Sequence, residues 1–270
     1  SVRITGISGA PAVTVDATPA VMTIIDDDIP SIQYSPASVT MPEGGTATID
    51  VWLGAQPVNP VVLNISTVKA GVLTLDKTTL TFTSANYGTH QVITLTAVDD
   101  NMMGNLTDDV IISVNDASSD DHFDPLPDID IPVNVINNDI ASLVVSPTSL
   151  TIAENTTGTF TVKLSAGPST GNVVVDLVSN DLTVATIDKP QLTFTAANWN
   201  IAQTVTVTGV NNNIIPNTST TISLAVNNGL SDDDFDGKTG TVTINVTNDD
   251  VAGFTVSPLT LTVNEGGPAG

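Results

Sequence analysis

The sequence has no cysteine and very few basic or aromatic residues. The absence of cysteine from its 270 residues excludes a disulfide framework and a thiolate metal site. Lysine and arginine number 6 against 29 acidic residues, which gives a formal net charge of −23. Such a polyanionic surface repels nucleic-acid phosphates and anionic membranes, so neither is an expected partner. Hydrated cations are the natural counter-charges.

Long apolar segments and export signals are also missing. No run of about 18 or more apolar residues occurs, so we predict no transmembrane helix and no membrane insertion. The opening residues, SVRITGISGAP, lack a basic segment followed by an apolar core, so no signal peptide is visible there. If the protein is exported, we expect its targeting signal outside this chain.

One segment recurs at a fixed spacing. It reads SIQYSPASVTMPEGG at 31–45, SLVVSPTSLTIAENT at 142–156 and GFTVSPLTLTVNEGG at 253–267. Its glutamates, Glu43, Glu154 and Glu265, are 111 residues apart, which indicates tandem duplication. The predicted division has four parts: the C-terminal part of a preceding repeat (1–30), two complete repeats (31–141 and 142–252) and the start of a following repeat (253–270).

Two further stretches support this division. LTFTSANYGTHQVITLTAVDDN (80–101) matches LTFTAANWNIAQTVTVTGVNNN (192–213), and SDDHFDP (119–125) matches SDDDFDG (231–237), each with an offset of 112. The expected partners are therefore neighbouring repeats of the same chain. Self-association into filaments, by strand addition between chains, is an alternative that the sequence leaves open.

Each repeat is predicted to be a β-sandwich. Hydrophobic residues make up 40% of the chain and aromatics only 4%, so β-branched and aliphatic residues dominate. Short alternating runs split by turns predict about seven or eight strands per repeat. In the second repeat, a first strand split around Pro147 is followed by runs at Thr159–Leu164, Asn172–Leu177, Gln191–Thr195, Thr204–Thr208, Thr220–Val226 and Thr239–Val246.

The order of these motifs resembles a known family. An apolar strand followed by EGG, then LTFT with NW, then VDDN and a closing acidic run is similar to the Calx-beta-like, cadherin-like immunoglobulin-type repeats of large bacterial surface adhesins. The resemblance covers the whole chain. It implies an all-β fold of tandem immunoglobulin-like sandwiches forming an extended rod, with calcium at the module ends. It also implies an extracellular, cell-surface role as a stalk, filament or adhesin shaft.

The resemblance further implies a set of calcium ligands. They are the glutamate after the first strand, an acidic pair after the LTFT stretch, a mid-repeat aspartate and the terminal acidic run. In this sequence these are Asp26, Asp27, Asp28, Glu43, Asp99, Asp100, Asp139, Glu154, Asp181, Asp249 and Asp250.

The two repeats depart from the family pattern at several of these positions. Asn211 and Asn212 stand where the first repeat has its acidic pair, and Lys69 stands where the second repeat has Asp181. Because ligand charge tunes calcium affinity, a weak, altered or absent site is an open alternative in each repeat.

The SDDDFDG stretch is a second candidate cation loop. Asp232, Asp234 and Asp236 alternate before Gly237, as in the first half of an EF-hand loop. The twelfth position is Thr243, which cannot supply the bidentate carboxylate, so an EF-hand is excluded. Two alternatives remain: a cation held with help from backbone carbonyls, and a polar turn that places Phe235 at the core edge.

The few aromatic residues allow a carbohydrate-binding alternative. Tyr87 and Trp199 occupy equivalent positions, which favours a structural plug in each sandwich but also fits a sugar-stacking platform for surface glycans. Trp52 has no aromatic counterpart. His90 and His122 are isolated, and no nucleophile, zinc-protease or phosphate-loop motif occurs, so we predict no enzyme activity.

Overall fold

The protein folds almost entirely into β-strands. The computed structural model describes residues 27–257, 259–262 and 265–266. Within these residues it contains 18 strands and two short 3-10 helices, Asp116–Ser118 and Asp233–Phe235. No helix in this described part is long and apolar enough to cross a membrane. The all-β prediction is confirmed.

The first module contains nine strands. They are β1 (Ile32–Ser35), β2 (Val39–Pro42), β3 (Thr46–Leu53), β4 (Val61–Thr67), β5 (Leu73–Leu75), β6 (Thr79–Phe82), β7 (Gln91–Ala97), β8 (Leu106–Val114) and β9 (Ile129–Ile136). Strands β1, β3, β7 and β5 form one sheet, in the order β1-β3-β7-β5. The second sheet has the order β2-β9-β8-β4-β6.

The second module repeats this topology. Its strands are β10 (Leu143–Ser146), β11 (Ser149–Ala153), β12 (Thr157–Leu164), β13 (Asn172–Ser179), β14 (Ala185–Ile187), β15 (Gln191–Thr195), β16 (Gln203–Gly209), β17 (Thr218–Val226) and β18 (Thr239–Thr247). The sheet orders are β10-β12-β16-β14 and β11-β18-β17-β13-β15.

The strand predictions for the second repeat agree with the structure except at one strand. The split around Pro147 is observed, because β10 and β11 flank this proline and join opposite sheets. Strand β14 was not predicted, since three residues are too few to show the alternation that marks a half-buried strand.

Each module has its own hydrophobic core between its two sheets. Alternate residues of the strands point inward, as in β3, where Ile49, Val51 and Leu53 are buried. The first core extends in sequence from Ile32 to Val135 and the second from Ala141 to Val246. Fully buried phenylalanines supply the largest side chains: Phe82 and Phe123 in the first core, and Phe160, Phe194 and Phe235 in the second.

One parallel strand pair in each module decides where the acidic residues meet. All other strand pairs described within the sheets are antiparallel, but β2 runs parallel to β9, and β11 runs parallel to β18. The carboxyl ends of parallel strands lie at the same end of a sheet. Residues that follow β2 and β9, far apart in sequence, therefore come together at one end of the module.

Candidate metal centres

Three carboxylates converge at the end of the first module. Glu43 directly follows β2, Asp139 lies just after β9, and Asp100 lies just after β7. One oxygen from each of the three lies within 4.8 Å of the others. Strand β7 ends beside the turn after β2, because the Ala97 N–H donates a hydrogen bond to the Gly45 carbonyl (3.0 Å).

The backbone around Glu43 holds its side chain toward the module interior. The Glu43 N–H donates to the Ile136 carbonyl (3.0 Å), and the Asn138 side-chain amide donates to the Glu43 carbonyl (3.1 Å). Gly44 then turns the chain with φ at +66°, a conformation that favours glycine. The positive φ of this turn therefore explains why a glycine follows Glu43.

Three carboxylate oxygens of this cluster lack hydrogen-bond partners among the described residues. Glu43 is 4% exposed, and neither of its carboxylate oxygens has a partner among the described residues. Oδ2 of Asp139 is also buried and has no hydrogen-bond partner among the described residues. A buried carboxylate without a partner is costly, and a cation bound by oxygen would remove that cost.

The protonation behaviour of the cluster reflects the same crowding. Burial raises the pKa of Glu43, and the charges of Asp100, Asp139 and Asp99 raise it further. The nearby Asn138 N–H, which makes no hydrogen bond of normal geometry to this carboxylate, lowers the pKa in part. Burial also raises the pKa of Asp139, with added contributions from Asp99 and Asp100. Asp99 therefore lies close enough to act on the cluster, although it is not one of the three converging groups.

A second cluster forms at the equivalent end of the second module. Glu154 follows β11, and Asp249 and Asp250 follow β18; one oxygen from each lies within 4.8 Å of the others. Glu154 is 2% exposed, and Oδ2 of Asp250 is buried without a partner. Asn155, with φ at 59°, takes the place of Gly44 in the turn. Asn can adopt this left-handed conformation more readily than most residues.

The two clusters contain three carboxylates each, although the contributing strand ends differ. Asp100 of the first module aligns with Asn212, and Asn138 aligns with Asp249. The third carboxylate thus comes from the loop after β7 in one module and from the end of β18 in the other. Each module thus keeps three converging carboxylates, because Asp249 supplies in the second module the charge that Asn212 lacks.

Several residues implied by the family resemblance lie outside these clusters. Asp181 is exposed, and its carboxylate accepts hydrogen bonds from the Thr183 N–H (2.8 Å) and hydroxyl (2.6 Å). Lys69, at the matching place, directs its ammonium to the Thr107 carbonyl (2.5 Å). Asp27 and Asp28 are exposed and join no described cluster, and Asp26 lies outside the described residues.

The SDDDFDG loop is built around one structural aspartate. Asp232 is 4% exposed and accepts hydrogen bonds from the N–H groups of Thr170 (2.6 Å) and Asp234 (3.0 Å). Burial alone would raise the pKa of Asp232, but these hydrogen bonds outweigh burial and lower it. Phe235 is fully buried, while Asp234 and Asp236 are exposed.

The sister loop of the first module uses Asp120 in the same way. Its carboxylate accepts from the N–H groups of Val58 (2.8 Å) and Asn59 (2.7 Å) and contacts Nδ1 of His122 at 2.7 Å. In neither loop do the described carboxylates converge as they do around Glu43 and Glu154. Of the two alternatives for SDDDFDG, the geometry favours the polar turn.

The aromatic residues divide into core residues and one surface pair. Tyr87 and Trp199 pack against the first and second cores, at equivalent corners where their carbonyls accept from Leu53 (2.8 Å) and Leu164 (2.9 Å). Trp52 instead stacks on His90, with ring centroids 4.0 Å apart and an interplanar angle of 5°.

Comparison with known proteins finds only distant structural similarity. No protein-family model and no curated protein sequence matches the chain. Solved structures with similarity include SSP-19, an MSP-domain protein of Caenorhabditis elegans (14% identity, 38% of this chain and 96% of the other, TM-score 0.29). The fibronectin(III)-like modules of Clostridium thermocellum CbhA are 13% identical, with 84% of this chain and 99% of the other covered and a TM-score of 0.22. The teleost fish polymeric Ig receptor ectodomain is 14% identical, with 79% of this chain and 97% of the other covered and a TM-score of 0.25. At such TM-scores the fold assignment rests on the sheets themselves: each module is an immunoglobulin-type β-sandwich.

Proposed function

We propose that this chain is a structural region of tandem β-sandwich modules, stabilised by calcium, in an extracellular stalk, filament or adhesin shaft. The modules would follow one another as an extended rod and take no part in catalysis. The resemblance to Calx-beta-like repeats and the strict 111-residue spacing support this role. So does the net charge of −23, which calls for cations.

The observation that carries the calcium proposal is the buried, unpartnered carboxylate of Glu43. A buried glutamate recurs at Glu154, where Oε2 accepts from the Asn212 N–H (3.4 Å), and each glutamate lies beside two further carboxylates. Calcium takes about 6–8 oxygen ligands in a flexible geometry, so three carboxylates completed by carbonyls and water suit it. Hard oxygen donors without nitrogen or sulfur also favour calcium over transition metals.

Calcium at these positions would act on the module ends. In the first module the cluster joins the ends of three strands, from both sheets, to the residues that lead into the second module. Neutralising the clustered carboxylates would remove their mutual repulsion and stiffen this end of the sandwich. A region that bears load at a cell surface benefits from such stiffening.

The direct test is thermal unfolding of the chain in calcium and in a chelator. We expect a higher melting temperature in calcium, and two bound ions per chain by calorimetric titration, one for each described cluster. The double variant Glu43→Gln with Glu154→Gln should lose both effects. A melting temperature that calcium leaves unchanged would reject the proposal.

Carbohydrate binding is a second candidate, now centred on a different residue. Because Tyr87 and Trp199 pack against the cores, the remaining platform is Trp52, stacked on the half-exposed His90 with Asp50 nearby (3.7 Å from His90 Nδ1). Aromatic faces of this kind are common recognition elements in ligand sites. Loss of binding to a glycan array in Trp52→Ala, with the melting temperature unchanged, would support it; absence of any glycan binding by the unmodified chain would reject it.

A further inference from the structure

One turn of the second module places an asparagine directly before a glycine. Asn228 is the only asparagine in the sequence that is followed by glycine, because every other asparagine precedes a residue with a side chain. The Leu230 N–H donates to the Asn227 carbonyl (3.0 Å), so Asn228 and Gly229 occupy the two central positions of a β-turn. Both central residues are exposed to solvent. The peptide bond between them is therefore accessible to water and to bases.

The turn is fixed at its first residue but leaves one backbone nitrogen unused. The Asn227 N–H donates to the Val174 carbonyl (2.8 Å), and the Asn227 side-chain amide donates to Oδ2 of Asp176 (2.9 Å). In contrast, the Gly229 N–H donates to no acceptor among the residues that the structure describes. Gly229 has no Cβ atom to shield this nitrogen. The nitrogen is therefore available as a nucleophile once a base removes its proton.

The side chain of Asn228 is polarised by a neighbouring loop. Its Oδ1 accepts a hydrogen bond from the N–H of Gly237, the last residue of the SDDDFDG stretch (3.1 Å). When a nucleophile attacks Cγ of Asn228, negative charge develops on this oxygen. A fixed N–H donor at such a position stabilises the developing charge, as in an oxyanion hole. The fold thus places a nucleophile on one side of the Asn228 amide and a charge-stabilising donor on the other.

We propose that Asn228 is a site of spontaneous deamidation in the folded protein. The Gly229 nitrogen loses its proton to solvent base and forms a bond to Cγ of Asn228. The side-chain nitrogen takes up a proton and leaves as ammonia, which gives a cyclic imide. Water then opens the imide at one of its two carbonyl groups, so the product is aspartate or isoaspartate. One negative charge is added to a chain whose formal net charge is already −23.

The first module shows where the added charge would act. Asp116 aligns with Asn228, and Asp124 aligns with Asp236, each with the offset of 112. Burial raises the pKa of Asp124, and the charge of Asp116 raises it further. A carboxylate at position 228 would repel Asp236 in the same way. Deamidation should therefore lower the stability of the second module while its core stays intact.

Peptide mapping by mass spectrometry tests the reaction on the whole chain. The folded chain is incubated in mildly alkaline buffer, and the conversion of amide to carboxyl is followed at every asparagine. We expect Asn228 to convert at least about tenfold faster than any other asparagine, which corresponds to a barrier lower by about 1.4 kcal/mol. Equal conversion elsewhere would overturn the proposal. So would an Asn228 that stays intact in the folded chain but converts in urea, because the turn would then protect it.

Gly229→Ala is the matched control. A Cβ atom at this position would meet only Oδ1 of Asn227, at 3.8 Å, so the turn can keep its shape. The added methyl group hinders attack by the nitrogen of residue 229, and Asn228 should then convert no faster than the other asparagines. Conversion at the rate of the unmodified chain would show that the glycine is not the cause, and the proposal would fail.

Asn228→Asp isolates the effect of the added charge, because it carries the carboxylate from the start. Its melting temperature should lie below that of the freshly purified unmodified chain. Ageing should shift the melt of the unmodified chain toward that of this variant, while aged Gly229→Ala keeps its original melt. An Asn228→Asp chain as stable as the unmodified one would overturn the predicted repulsion at Asp236. The reaction needs neither calcium nor an extracellular location, so its failure would leave the proposed function untouched.

Discussion

The buried carboxylate of Glu43 and the half-buried carboxylate of Asp139 meet at the ends of two parallel strands. Their oxygens lie within 4.8 Å of one another and of Asp100, and both Glu43 oxygens and one Asp139 oxygen lack a described hydrogen-bond partner. Without a cation, this arrangement opposes folding. In the proposed calcium-bound state the same carboxylates would be ligands, and the ion would offset their mutual repulsion.

Glu43→Gln should therefore have opposite effects with and without calcium. At calcium about 100-fold above Kd, binding adds about 2.7 kcal/mol to the free energy of unfolding, and we expect the variant to lose most of this gain for the first module. In a chelator the variant should be more stable than the unmodified chain, because a buried charge among like charges is removed. Calorimetry of both proteins in both conditions measures this.

Asp128→Asn is the matched control for Glu43→Gln, because Asp128 is exposed and belongs to neither cluster. Asp128→Asn should have the melting temperature of the unmodified chain both in calcium and in a chelator. Equal responses of the two variants to calcium would contradict the assignment of Glu43 as a ligand.

The pKa directions predict an unusual pH dependence for the metal-free protein. The folded-state pKa values of Glu43 and Asp139 are raised, so the stability linked to these groups is present below their unfolded pKa and is lost as pH rises through the folded pKa. Acidification from neutral pH toward the unfolded pKa of these carboxyls should raise the melting temperature in a chelator, and Glu43→Gln should reduce this rise.

Two other carboxylates, Asp181 and Asp232, limit this rise in melting temperature at lower pH. The hydrogen bonds to Asp181 and Asp232 lower their pKa, so their contribution is present above the unfolded pKa and is lost as pH falls through the folded pKa. We expect the chelated melting temperature to pass through a maximum and fall below about pH 4. In calcium, protons compete with the ion, and the stability should decline steadily from neutral pH. A melting temperature that only falls on acidification in a chelator would contradict the prediction.

Asp232→Ala should destabilise the second module without affecting calcium binding. The substitution leaves the N–H groups of Thr170 and Asp234 without their acceptor, which costs about 1–3 kcal/mol. Asp236→Ala, at an exposed position in the same loop, should cost much less. Denaturant unfolding and calcium titration of both variants provide the measurement; a weaker calcium response in Asp236→Ala would revive the cation-loop alternative.

Gly167→Ala should loosen the contact between the modules. A Cβ atom at this position would lie 2.2 Å from Met102 Sδ and 2.8 Å from Trp199 Nε1, so the Met102 side chain and the Trp199 ring must move apart from it. Overpacking of this kind costs about 1–3 kcal/mol. We expect faster proteolytic cleavage in the 101–104 loop, with both modules still folded by circular dichroism. Gly88→Ala, where no neighbour lies within 4 Å, is the control and should be cleaved at the original rate.

Asn212→Asp tests whether ligand charge tunes the second cluster. The Asn212 N–H already donates to Oε2 of Glu154 (3.4 Å), so residue 212 lies beside the site. A fourth carboxylate should tighten calcium binding in titrations and lower the melting temperature in a chelator, because unpaired charge is added. An unchanged affinity would show that residue 212 lies outside the coordination sphere.

The strands and the module spacing could be predicted because their signals are local. Alternation along TFTVKL marks a strand whatever its partners are, and a repeated EGG or ENT marks a duplicated turn. The ligand set was harder to predict, because it depends on which strand ends meet. Asp181 and Asp232 have the right chemistry, but they serve as local hydrogen-bond acceptors. Oδ1 of Asp181 accepts from Thr183 in its own loop, and Asp232 accepts from Asp234 in its own loop and from Thr170 in the loop after β12.

By itself, then, the sequence determined an all-β chain of duplicated sandwiches, rich in acidic residues, with a glutamate after the first strand of each. Only the tertiary structure decided which carboxylates converge. The parallel pairing of β2 with β9 and of β11 with β18 joins residues nearly a whole repeat apart in sequence, so no local pattern records it. The exchange of Asp100 for Asp249 as third carboxylate became visible only when both were seen to occupy the same end of a module.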